Sequence, residues 1–127
     1  MSRSLLVLGV LGVLLSAAPV FAHHSTATYD LVHGTILDGV VAGFAWENPH
    51  AHILLDVTGD DAVEHWTIEL ESPNILRHLG WDKDTVKAGD RILVTGGRAK
   101  NGTFHLRAVL VQVSDGRKLQ VLPPPEN

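Results

Sequence analysis

Histidine is the residue with the most chemical potential in this chain. Eight are present among 127 residues: His23, His24, His33, His50, His52, His65, His78 and His105, with no cysteine and with Met1 as the only methionine. His50 and His52 open the segment HAHILLDV, and Glu69 and Glu71 close the segment VEHWTIELE. On strands, residues two apart share a face. His50 and His52 would therefore project together, opposite Ile53, Leu55 and Val57, while Glu69 and Glu71 project opposite Trp66, Ile68 and Leu70. Imidazole nitrogens and carboxylate oxygens form a ligand set for Zn²⁺ or Cu²⁺. The scarcity of sulfur argues against a Cu(I) carrier, which prefers thiolate and thioether.

Two hairpin registers satisfy both apolar faces. One pairs His52 with Glu69 and His50 with Glu71; the other pairs His52 with Thr67 and His50 with Glu69. Either brings two imidazoles and a carboxylate within about 5 Å across neighbouring strands. The same pattern also fits a solvated polar face with weak His–Glu pairs. His23 and His24 follow SAAPVFA, and if His23 becomes the first residue, its α-amine and imidazole could chelate one metal as a pair. Trp46, beside Asn48–Pro49, and Trp81 could flank a small ligand groove, although core packing is the better reading of such aromatics. There is no G-x-S-x-G elbow, phosphate-binding glycine loop or cysteine nucleophile.

These side chains must be positioned by strands. Arg3 followed by the apolar run LLVLGVLGVLL and by Val20 and Ala22 reads as a secretory signal peptide, residues 1–22, cut after Ala22. The apolar run is shorter than the roughly 20 residues a membrane span needs. Residues 23–122 then form one domain and residues 123–127 a proline-rich tail. Loss of Arg3 lowers the ten basic residues to nine against fourteen acidic ones. An acidic exported domain is a poor nucleic-acid binder.

The segment from Leu31 to Trp46 reads as a long first strand, bent by glycines. HAHILLDV and VEHWTIELE make a hairpin. Ser72, Pro73 and Gly80 bound a short helix as N-cap, first-turn proline and stop. RILVTG, TFHLRAVLVQV and KLQVL supply later strands, with turns at Asn101–Gly102 and Asp115–Gly116. Three strands, a helix, then two or three strands is the order of a small five- to six-stranded Greek-key barrel of OB type, its helix between strands 3 and 4. An antiparallel sandwich is the competing all-β arrangement.

The segments WENPHAHILLDV, ESPNILRHLGW, KAGDRILVTGGRAKNG and DGRKL resemble a family of small exported bacterial proteins known only as a domain of unknown function. The W-x-N-P-H and S-P…G-W pieces carry the likeness, which implies a periplasmic OB-like barrel and no established activity. The functional expectation is a periplasmic, non-enzymatic binding protein coordinating Cu(II) or Zn(II) through His50, His52, Glu69 and Glu71, with His23 and His24 as further ligands. The alternative is a protein- or small-ligand-interaction domain without metal, with a periplasmic protein as partner. A copper enzyme built on the His23 amine is a third reading, weakened because residues 25–30 offer no evident anchor.

Overall fold

The structure, a computed structural model, describes residues 28–122. The expected signal segment and cleavage point, His23, His24 and the tail lie outside the described residues. Strand β1 (Tyr29–Ala45) runs for 17 residues. It is long enough to pair with β2 (His52–Thr58) through its second half and with β4 (Arg91–Ala99) along most of its length. Register shifts between Asp30 and Thr35 and between Val41 and Gly43 bend it, as the glycine-punctuated sequence predicts.

Strand β2 turns into β3 (Val63–Glu69), whose alternation buries Trp66 and Ile68 against Ile53 and Leu55. Helix α1 (Pro73–His78) follows, with the Ser72 hydroxyl accepting from the Ile75 amide at 3.4 Å and Pro73 in the first turn. β4 then leads through the turn at Gly102 (φ +81°) to β5 (His105–Gln112), and the turn at Gly116 (φ +90°) leads to the short β6 (Lys118–Gln120).

The sheet order is β3-β2-β1-β4-β5-β6, and an additional parallel pairing of β3 with β5 closes the first five strands into a ring. This is the expected all-β, OB-like order, with the helix between β3 and β4. The closure runs through Thr67–Glu69 and His105–Arg107 and covers that part of the β3 edge. The core inside it is built from Val41, Ile53, Leu55, Ile68, Ile92, Val94, Leu106 and Val111, and α1 adds Leu76. Among the described residues no helix is long and apolar enough to cross a membrane.

Candidate functional site

The β2–β3 hairpin adopts the first of the two registers, with His52 opposite Glu69, Ile53 opposite Ile68 and Leu55 opposite Trp66. Backbone bonds from the Ala51 amide to the Glu71 carbonyl (3.1 Å) and from the Leu70 amide to the Ala51 carbonyl (2.9 Å) continue the pairing beyond the strand ends. The two bonds set both Leu70 and Glu71 against Ala51, so the register slips by one residue there and His50 approaches Glu69. His50, His52 and Glu69 lie together at this end of the hairpin.

A residue that sequence reasoning passed over stands beside them. Ring closure sets Arg107 of β5 beside Glu69 of β3. Arg107 is only 3% exposed, the one buried charged residue among those described. Its Nη1 donates to Glu69 Oε1 (3.4 Å) and to the Leu70 carbonyl, and its Nη2 donates to Glu71 Oε1. A guanidinium removed from water needs such charged acceptors, since the desolvation cost otherwise runs to several kcal/mol. Its Nε–H has no partner among the described residues.

Tyr29, at the start of β1, completes the arrangement from the far side of β4. Its hydroxyl donates to Glu69 Oε2 at 2.8 Å. Burial, with the Glu69 carboxylate beside it, pushes the Tyr29 phenol up to about 12. Residues 25–30 therefore do contain an anchor, a point the sequence reading missed. Tyr29 and Arg107 together fasten the entry of β1 and the β3–β5 closure to the same carboxylate.

This wiring limits what the histidines can recruit. His50 Nδ1 lies 3.6 Å from Glu69 Oε1, and His52 Nδ1 lies 3.9 Å from Glu47 Oε1; both are too long for hydrogen bonds. A metal drawing on Glu69 Oε1 or Glu71 Oε1 would compete with the buried guanidinium. Among the described residues no group of three or more His, Cys, Asp or Glu side chains is placed to hold a metal.

The other histidines are dispersed. His33 Nδ1 meets Asp30 Oδ2 (2.9 Å), His65 Nδ1 meets Asp56 Oδ1 (2.7 Å), His78 Nδ1 meets the Asn74 carbonyl (2.8 Å) and His105 Nδ1 meets Thr103 Oγ1 (3.0 Å).

Burial gives the two tryptophans structural surroundings, as the core-packing reading expects. Trp81 is 2% exposed, and its indole N–H donates to the Gln120 carbonyl at 2.8 Å, tying the segment after α1 to β6. Trp46 is half-buried against Phe44 (5.8 Å between ring centres), with the Arg77 guanidinium 5.6 Å above its ring. Both indoles fill structure. A shallow cavity of ≈ 320 Å³ lies elsewhere, against Asp38, Arg91, Leu93, Gln112 and Ser114.

The same outward side becomes more apolar away from the Arg107 cluster, around β1. Leu37 and Val41 of β1 point into the core, so the alternate residues Ile36, Asp38 and Val40 point out. Beside them stand Leu54 of β2 and Leu93 of β4, each flanked in sequence by buried core residues and each exposed itself. The Asp38–Arg91 pair, joined by two bonds of 2.9 Å, Thr95 opposite Ile36 and Asp56 opposite Val40 interrupt this apolar surface. The Arg91 guanidinium holds the Asp38 carboxyl below the usual carboxylate range.

Compared with known families, residues 11–107 match the model of a family described as "Family of unknown function (DUF6152)". No curated protein matches the chain.

Proposed function

The chain belongs to the DUF6152 family of unknown function, and we propose that it is an exported, periplasmic, non-enzymatic binding module that engages its partner through the outer face of β1 and its neighbours. The observation carrying this reading is the set of large apolar side chains presented on adjacent strands β2, β1 and β4. Apolar side chains clustered in this way on a small domain mark interaction surfaces. The polar region at β3 and β5, by contrast, spends its carboxylates on Arg107 and Tyr29. The signal peptide read from residues 1–22 supports export.

One observation favours the metal reading as a second possibility. Tyr29 reaches Glu69, so the described chain begins one residue away from a side chain that touches the carboxylate facing His50. Six further residues can extend about 20 Å, enough for His23 and His24 to approach His50 and His52 in a chain cut after Ala22.

Calorimetric titration of the exported protein with Zn²⁺ and Cu²⁺ separates the two, with its first residue fixed by mass spectrometry. The interaction reading expects no binding tighter than about 0.1 mM, far weaker than dedicated transition-metal sites. Tighter binding that disappears in His50→Ala/His52→Ala would replace it with the metal reading.

A further inference from the structure

We propose that Asn101 is a self-modifying site, at which the Gly102 amide nitrogen closes on the Asn101 side chain and converts it, through a succinimide, to aspartate and isoaspartate. This chemistry is independent of the docking face. It belongs to the turn between β4 and β5, where Asn101, Gly102 and Thr103 are all exposed.

Glycine after asparagine leaves the attacking nitrogen without a neighbouring side chain, and Gly102 stands at φ +81°, where other residues are strained. The electrophile is the carbonyl carbon of the Asn101 side chain. Its Oδ1 accepts from the Thr103 amide at 3.1 Å and from the Thr103 hydroxyl at 2.7 Å. Behind that hydroxyl, His105 Nδ1 lies 3.0 Å from Thr103 Oγ1. With its proton on Nδ1, His105 donates to Oγ1 and leaves the hydroxyl proton directed at Oδ1. Two fixed donors on a carbonyl oxygen withdraw charge from its carbon and bear the negative charge that develops on attack.

The atoms balance with water as the only co-reactant. The Gly102 nitrogen bonds to Asn101 Cγ, its proton passes to the leaving nitrogen, and ammonia departs as the Cγ–Nδ2 bond breaks. Water then opens the ring. Cleavage between the Gly102 nitrogen and Cγ gives aspartate. Cleavage between that nitrogen and the Asn101 backbone carbonyl gives isoaspartate, whose main chain is one methylene longer. The lengthened turn lies just ahead of the ring closure, where the Phe104 carbonyl accepts from the Thr67 amide at 2.9 Å. Arg98, whose Nη2 donates to the Gly102 carbonyl at 3.4 Å, also lies over the Trp66 and Phe104 rings. Isoaspartate at 101 therefore loosens the start of the β3–β5 pairing.

The turn between β5 and β6 is a built-in comparison. Gly116 there has a similar φ of +90°. The Asp115 carboxyl, however, accepts from the Arg117 amide at 2.9 Å and from Arg117 Nε at 2.7 Å, which hold it ionised. A carboxylate is a poor electrophile, so residue 115 should stay unchanged.

Ageing the full folded chain in mildly alkaline buffer, followed by mass spectrometry of its tryptic peptides, tests this; residues 101–107 and 108–117 fall in separate peptides. Wild type is expected to gain aspartate and isoaspartate at 101 and no isoaspartate at 115. The isoaspartate fraction should unfold at a lower temperature than unaged protein. Thr103→Val removes the hydroxyl donor and keeps the amide. It is expected to slow conversion at least about fivefold, less than loss of a buried oxyanion donor costs because the turn is open to water. Thr103→Ser should keep the wild-type rate.

In denaturant the wild type and both variants should convert at similar rates, which separates the effect of the turn from that of local sequence. Position 103 is exposed, so thermal unfolding of the fresh variants should stay near wild type. Folded Thr103→Val that converts as fast as folded wild type overturns the proposal. So does folded wild type that keeps Asn101 intact for as long as the unfolded chain takes to lose it.

Discussion

Arg107→Leu is expected to destabilise the domain by about 3 kcal/mol, the lower end of the cost of breaking a buried ion pair by removing one partner. The lower end applies because Glu69 and Glu71 keep some solvent access. In a domain of this size that corresponds to a fall in Tm of roughly 12–24 °C. The loss has a clear origin. Leucine restores apolar volume but leaves Glu69 Oε1, Glu71 Oε1 and the Leu70 carbonyl without their donor, at the pairing that closes the ring.

Tyr29→Phe removes one hydrogen bond to the same carboxylate and should cost less, about 1.5 kcal/mol. Adding Glu69→Gln and Glu71→Gln to Arg107→Leu should recover part of the loss, because the stranded groups are then neutral. Chemical denaturation measures all three. A loss under 1 kcal/mol for Arg107→Leu would mean that packing alone closes the β3–β5 pairing.

Gly96→Ala is expected to cost a similar amount, about 3 kcal/mol, at the upper end of overpacking effects. Gly96 sits at the register shift between β4 and β5. A Cβ there would run into the Arg107 carbonyl oxygen and lie 2.6 Å from Leu106 Cδ2 and 2.9 Å from the Arg107 carbonyl carbon. Two of these three atoms are backbone, so relief requires the strands to separate. Gly34→Ala is the matching control: it is also a glycine of the sheet, yet nothing lies within 4 Å of the Cβ it would gain. Its stability should change by less than about 0.5 kcal/mol, the range of ordinary surface substitutions. Equal effects at the two sites would remove close approach as the reason for glycine at 96.

Much of this architecture is legible from local sequence. Alternation in HILLDVT and VEHWTIE sets which residues face inward, and loop length narrows the register to two choices, one of which the structure adopts. Ser72 and Pro73 mark the start of α1, and Asn101–Gly102 and Asp115–Gly116 mark turns that a left-handed glycine completes.

The polar clamp is legible only in hindsight, because it depends on the parallel closure of β3 with β5, which joins residues 38 apart and leaves no periodic trace. One signal was available. Arg107 interrupts the otherwise apolar run HLRAVLVQV, and an arginine inside a buried strand requires acidic partners. Glu69 and Glu71 were at hand, but pairing them with histidine alone hid that demand. Tyr29 was missed for the opposite reason: it lies ahead of the regular alternation, and its partner is 40 residues away. Trp81 packs inside, as the core-packing reading of the aromatics expects, with the core under α1 and the Gln120 carbonyl holding it there.

The central claim is a division between two regions of the ring's outer surface: a polar region at β3 and β5 that holds the structure closed and an apolar region around β1 that binds. Site-specific photo-crosslinking in cells exporting the full chain tests it most directly, with the photoreactive residue placed at Ile36 in one strain and at His52 in another. The account predicts a discrete adduct of defined mass from position 36, abolished by Val40→Asp or Leu93→Asp on the same face, and none from position 52. Adducts from position 52 with none from position 36 would contradict it and return the binding role to the histidine face.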